Sequence, residues 1–402
     1  MTTIEIVLWI SLGLIAYSYF LYPVLIGLCA RLKGKRTAAN NIGEDRDWPF
    51  VSLVIAAYKE EQVIRERIEN ALAFDYPADR YEVLIGCDGD LDGTGAIVRS
   101  YDDARIRLLQ FPQRRGKPSV LNDCVPASRG SLVAFSDANT FWKPDALMRL
   151  VQHFDDPQVG GVCGQLLLTD PATGENVDGL YWRYENYLKR CEGRVGALLG
   201  ANGAIYAIRR ELWQPIPANS IVDDFLIGMR IHLQRLRFEF EELAIAEEES
   251  APTMGAEFNR RTRIGAGGFQ SLVWLSSLLN PLRGTVALAF WSHKVLRWFC
   301  PHLMIAALVA NICLWQHPAY FALLCAQGAF YGLALLGRYI PGTGLPIRLL
   351  RLTTMFTSMN LALLVGFFRW LRNAQSGAWV RTARTSELKA NSVPREPVTS
   401  AR

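Results

Sequence analysis

What the chain lacks narrows the field first. Its eight cysteines (Cys29, Cys87, Cys124, Cys163, Cys191, Cys300, Cys313 and Cys325) contain no C-x-x-C pair. That leaves no zinc spacing and no disulfide framework, in keeping with a reducing compartment. Excess charge of one sign is also scarce. The formal net charge is +5 over 402 residues, and the basic residues gather beside apolar segments, which points away from nucleic acid and towards anionic lipid headgroups. A P-loop is missing: "QRRGKPSVLN" has cations around a glycine, but neither the glycine spacing nor the Lys-Ser/Thr pair. The apolar N-terminus has no basic leader or small-residue cleavage site, so it reads as a retained anchor rather than a secretory signal.

What is present is greasy at both ends. From Ile4 to Ala30 the chain reads "IEIVLWISLGLIAYSYFLYPVLIGLCA", with no charge between Glu5 and Arg31; a bilayer span needs about 20 such residues. Residues 1–30 are therefore expected to form a transmembrane helix. Arg31, Lys33, Lys35 and Arg36 follow, and the positive-inside rule puts this basic linker, 31–48, and the domain after it in the cytoplasm. Residues 49–268 mix polar and apolar positions as a folded soluble domain does. An interfacial amphipathic segment is expected over 269–294, a transmembrane region over 295–371 with three candidate spans, and a basic, disordered tail over 372–402. One span before the domain and three after it place the stretch from Arg369 outside, against the charge rule, so one of the three is expected to be interfacial or re-entrant.

Within the soluble region, β-branched runs alternate with helical patterns. "FVSLVIAAY", "YEVLIGCDG", "IRLLQF" and "SLVAFSDA" read as strands; "KEEQVIRERIENALAF", "DGTGAIVRSYDD" and "GKPSVLNDCVPAS" read as helices. This alternation predicts an α/β fold with a mainly parallel sheet, whose ligands sit at the carboxyl ends of the strands. Oxygen-bearing residues stand there: Tyr58 and Glu60 after the first strand, Asp88 after the second, Asp137 and Asn139 after the fourth. Each acid taken singly reads better as a helix cap; the set does not. Arg114, Arg115 and Lys117 beside a helix start suit a phosphate, and Asp137 with Asn139 offers two hard oxygens for Mg or Mn bridged to a diphosphate.

On these motifs the chain resembles glycosyltransferase family 2, in particular its membrane-embedded polysaccharide synthases. "VSLVIAAYKEE" is similar to the family's opening strand, with Ala56 and Lys59 in place of its Pro and Asn. "CDGDLDGT" resembles the Asp-Gly-Ser-x-Asp-Gly-Thr turn at Asp88 and Asp92, and "RRGKPSVLN" the Arg-Gly-Lys loop. "SDAN" stands where the D-x-D motif belongs, with Asn139 as its second member, and "SIVDDFLIGMRI" resembles the Thr-Glu-Asp motif. In "NRRTRIGAGG", Arg260, Arg263 and Ile264 replace the processive enzymes' Q-x-x-R-W, so the acceptor-binding tryptophan is missing.

The resemblance implies a GT-A type nucleotide-sugar-binding domain between N- and C-terminal transmembrane helices. It implies Asp224 as catalytic base with Asp223 beside it; Tyr58, Glu60, Asp88, Lys117, Arg260 and Arg263 on the donor nucleotide; and Asp137 and Asn139 on the metal. Gln165, Trp182 and Asn202 are candidates for the acceptor or sugar side. The expected activity is inverting, metal-dependent transfer from a nucleotide-diphosphate donor, UDP-hexose or UDP-GlcNAc, to a growing exported polysaccharide, with membrane lipids and export proteins as partners. Transfer of one sugar to a lipid acceptor is the alternative, and an inactive nucleotide-sugar-binding scaffold a third reading.

Overall fold

The computed structural model describes residues 1–34, 47–89, 91–170, 179–250, 254–337, 339–340 and 344–374. Most of the linker expected at 31–48 and of the tail expected at 372–402 lies outside them.

Eight strands form one sheet: β1 (Val51–Ala57), β2 (Tyr81–Asp88), β3 (Ile106–Phe111), β4 (Leu132–Asp137), β5 (Phe141–Trp142), β6 (Val159–Thr169), β7 (Tyr206–Arg209) and β8 (Arg237–Glu249). Their order is β3-β2-β1-β4-β7-β6-β8-β5. β3, β2, β1 and β4 are mutually parallel. Beyond β4 the sheet becomes mixed, because β7 pairs antiparallel with both β4 and β6 while β8 runs parallel to β6. β1 is buried along its whole length, as its unbroken apolar run requires when both sheet faces are covered. Leu53, Ile55 and Ala57 enter one core, together with Ile64, Ile68 and Ala71 of helix Ile64–Leu72. Val54 and Ala56 enter the other, with Val120, Leu121 and Cys124 of helix Lys117–Ala127.

The strand order reverses between β1 and β4. A crevice opens at the carboxyl ends of the strands wherever a parallel sheet reverses in this way. Asp137 is in register with Ala56 at that point, so the topology puts this residue at the mouth of the crevice.

Among the described residues, four helices are long and apolar enough to cross a membrane: Thr3–Leu32, Thr285–Cys313, Pro318–Leu336 and Leu349–Leu371. All three C-terminal candidates have spanning length, and length and composition single out none of them as interfacial. The segment expected to be interfacial, 269–294, is divided. It begins in helix Met254–Trp274, passes through two short turns, Ser276–Leu279 and Pro281–Arg283, and from Thr285 belongs to the helical run ending at Cys313. The expected boundaries at 268 and 294 both fall inside helices. His293 and Arg297 do not interrupt the helix because each is paired. His293 Nδ1 lies 2.6 Å from Glu192 Oε1, and Arg297 Nη1 donates to Glu185 Oε1 at 2.5 Å. Tyr22 of the N-terminal helix also donates to Glu192, at 2.8 Å. Burial alone would raise the Glu185 carboxyl; the Arg297 and His293 charges outweigh it and hold the group well below its ordinary range. This network ties helix Leu180–Val195 of the sheet-bearing domain to two of the apolar helices.

Candidate active site

The base of the crevice is set by Asp88. Its carboxylate ends β2 and accepts the backbone N–H groups of Arg115 at 2.7 Å and Gly116 at 2.8 Å, fixing the loop that the sequence marks as phosphate-binding. Gly116 has φ +89°, a left-handed conformation that favours glycine, and it lets the chain turn directly into helix Lys117–Ala127. Asp88 therefore fixes the position of this loop. Of the loop's cations, Arg115 is ion-paired with Asp123, and the Arg114 guanidinium stacks on the Tyr58 ring at 4.0 Å. Glu60 is buried, and its N–H donates to Thr94 Oγ1 at 3.0 Å. Tyr58, Glu60 and Asp88 thus surround one side of the crevice.

Lys117 reaches the other side. Its ammonium donates to Asp137 Oδ1 at 2.6 Å and lies 3.5 Å from Asp223 Oδ2. Burial works against its charge, but Asp137 and Asp223 outweigh that and raise its pKa well above the ordinary lysine value. Asp223 and Asp224 begin helix Asp223–Leu233. Asp224 accepts the N–H of Gly203 through Oδ2 and that of Phe225 through Oδ1, both at 2.8 Å. A Cβ placed on Gly203 would stand 3.2 Å from Asp224 Oδ2 and 3.5 Å from Asp137 Oδ2. Glycine here leaves open a space shared by the two carboxylates. Burial first, then the Asp223 charge, push the Asp224 carboxyl from 3.8 up to about 6, a value suited to accepting a proton near neutral pH.

Sequence reasoning missed one participant, Glu248 on β8. Asn139 Nδ2 donates to Glu248 Oε1 at 3.1 Å. Burial and then the Asp137 charge raise the Glu248 carboxyl to about 7. The amide at 139 now has a physical rationale: with Glu248 alongside, a second aspartate would add carboxylate to carboxylate, whereas the Asn donates its N–H and keeps its oxygen for a cation. No group of three His, Cys, Asp or Glu side chains is placed to hold a metal among the described residues. The donor set at Asp137 and Asn139 still fits Mg or Mn, which take one or two protein oxygens and complete their shell with waters and substrate phosphates. The Lys117 ammonium on Asp137 shows that this oxygen accepts a cation.

Other expected residues are less central. Arg260 is ion-paired with Glu257 at 2.9 Å and also feels the charge of Glu248. Arg263 donates to the Ile221 carbonyl at 3.0 Å, bracing the turn before Asp223. Asn202 adjoins Gly203 and donates its N–H to Cys163 Sγ at 3.2 Å. Gln165 sits on β6 opposite Ile245, and Trp182 on helix Leu180–Val195 beside Tyr181. Neither hydrogen-bonds to the clustered acids among the described residues.

Residues 52–212 match the family described as Glycosyl transferase family 2. That match covers less than half of the chain. Among curated relatives, a beta-monoglucosyldiacylglycerol synthase of Synechocystis is 26% identical over 71% of this chain and 63% of its own length. A poly-beta-1,6-N-acetyl-D-glucosamine synthase of Staphylococcus aureus is 23% identical over 56% of this chain and 55% of its own. The chain thus spans between about half and two-thirds of these relatives. A mannosyltransferase of Pyrobaculum calidifontis, solved with GDP-Man and Mn2+, superposes with a TM-score of 0.68, covering 91% of this chain and 99% of the other at 22% identity. The fold is GT-A, with a mixed, mostly parallel sheet and with candidate membrane spans in its N- and C-terminal helical segments.

Proposed function

We propose that the protein is a metal-dependent, inverting glycosyltransferase that moves a sugar from a nucleotide-diphosphate donor to a membrane-borne acceptor, in the first reading a growing exported polysaccharide. One observation carries the reading. The crevice at the strand reversal brings a cation-holding carboxylate (Asp137), a phosphate-seeking lysine (Lys117) and a carboxylate with raised pKa (Asp224) to the edges of one small space over Gly203.

In this mechanism Asp137 and Asn139 would hold a divalent cation, which would supply neutralisation of charge on the departing diphosphate. Lys117 and Arg260 complement the same charge, and Asp88 keeps the loop amides in place for it. Asp224 takes the proton of the attacking acceptor hydroxyl, a role worth roughly 10²- to 10⁴-fold in rate. Asp223 keeps Asp224 basic and helps to hold Lys117. Direct displacement inverts the anomeric centre, so an α-linked donor gives a β-linked product. The catalytic domain faces the cytoplasm, where nucleotide sugars are made.

A lipid acceptor is favoured by one specific observation. Ile264, 37% exposed on helix Met254–Trp274, stands where processive enzymes place tryptophan, which removes a stacking platform for a polymer's terminal sugar. The Synechocystis relative carries a lipid in its name, and the Staphylococcus relative a polymer. Sizing of the product and its anomeric configuration by NMR, from purified protein in nanodiscs with UDP-glucose, UDP-GlcNAc or GDP-mannose, tests both readings. A β-linked ladder supports the polymer and a single β-linked lipid product supports the alternative, while an α-linked product from an α-donor contradicts inversion.

A further inference from the structure

The proposed chemistry asks two cations to share one carboxylate. Asp137 is the carboxylate for the divalent ion, yet the Lys117 ammonium rests on its Oδ1 at 2.6 Å, with Asp223 Oδ2 at 3.5 Å on its other side. Lys117 is no loosely attached surface lysine: its side chain is 16% exposed. Arg115 is engaged with Asp123 and Arg114 stacks on Tyr58, so Lys117 is the loop cation that reaches the acids. A divalent ion on the same carboxylate would stand within a few ångströms of the ammonium, and like charges that close in a partly buried site repel strongly. The backbone beneath has little freedom to retreat. Asp88 holds the N–H groups of Arg115 and Gly116, and helix Lys117–Ala127 packs Val120, Leu121 and Cys124 into the core. The lysine's flexible four-carbon stem is the part that can move.

We propose that Lys117 is a place-holder cation, which neutralises Asp137 and Asp223 in the empty site and passes to the donor's diphosphate when the divalent ion takes Asp137. The inference rests on the reading of Asp137 as the cation ligand. Its consequence is a linkage: metal alone must displace the lysine without offering it a new anion, whereas metal and nucleotide diphosphate together supply both partners. Each ligand therefore strengthens the other by the same factor. The bare site resists loading with metal in the absence of donor. Asp223, which touches the lysine rather than the metal, sets part of the resistance.

The test is Mn2+ binding, read from the EPR signal of the free ion, to the full chain in detergent with and without UDP or GDP. The wild type is expected to bind Mn2+ weakly alone and at least about tenfold more tightly with the accepted nucleotide, within the usual range of coupling between sites. Lys117→Met is expected to bind Mn2+ alone at least about tenfold more tightly than the wild type and to gain less from nucleotide; Lys117→Arg, which keeps the charge, is expected to follow the wild type. Lys117→Gln, whose amide still reaches Asp137, gives the same comparison should the Met variant not fold. If Lys117→Met or Lys117→Gln binds Mn2+ no better than wild type while Asp137→Asn abolishes binding, the place-holder role is overturned and the metal site stands. If the wild type binds no Mn2+ with either nucleotide, the metal reading fails and the place-holder role falls with it.

Discussion

Replacing Asp223 by Asn should move the acid limb of the pH–rate profile without removing the base. Asp224 is lifted from 3.8 to about 6 by burial and, second, by the charge of Asp223. With the base at about 6, kcat/KM in the wild type should fall about tenfold for each pH unit below it. Asp223→Asn leaves the burial and removes the neighbouring charge, so the limb should move to lower pH by on the order of one unit. Glu248, raised to about 7, adds a second ionisation close by. The comparison is therefore made in a Glu248→Gln background, where the upper limb is absent. Initial rates of radiolabelled sugar transfer across pH 4.5 to 8.5, at saturating metal, measure it. An acid limb unmoved by Asp223→Asn would refute the electrostatic coupling of the two acids. A limb that survives in Asp224→Asn would refute the assignment of the base.

Further outcomes follow from single contacts. Asp137→Asn should remove metal-dependent turnover, with a loss of at least about 10²-fold, measured by transfer rate against Mn2+ concentration. Gly203→Ala puts a methyl 3.2 Å from Asp224 Oδ2 and 3.5 Å from Asp137 Oδ2; it should lower kcat at least about tenfold while the thermal midpoint changes little. The ionised form of Asp224 is disfavoured in the fold because its pKa is raised above the unfolded value. Stability contributed by the neutral carboxyl is present below 3.8 and lost as pH rises through about 6. Asp224→Asn should accordingly be more thermostable than the wild type at about pH 8 and lose that advantage at about pH 4. Arg297→Met leaves Glu185 buried beside the apolar helices without its main partner and should cost roughly 3–5 kcal/mol, seen as early thermal inactivation in detergent.

Much of the parallel half of the sheet was legible because β1 and β2, buried throughout, are written as largely apolar runs; "IRLLQF" is β3 residue for residue although this edge strand is only half-buried, and the other three differ from expectation only at their ends. The acids after those strands were legible for the same reason, since the strand ends place them. The antiparallel half was not. β8 reads "RFEFEELAIAEEE", and glutamate is depleted in strands. It is held there by pairing with β6 and by tertiary partners for its acids, such as His153 Nε2 on Glu241 at 2.7 Å. Glu248 lies in that run with nothing to distinguish it from its neighbours until the sheet carries it to Asn139. The bond from Arg263 to the Ile221 carbonyl was not legible either, because it joins residues 42 positions apart.

The most direct test of the account is transfer of radiolabel from UDP-glucose, UDP-GlcNAc and GDP-mannose into membrane-retained product, by the wild type and by Asp224→Asn, with Mn2+ present. The account predicts label transfer from one donor class by the wild type and a loss of at least about 10²-fold in the variant. Absence of transfer from every donor, or a variant as active as the wild type, would contradict it.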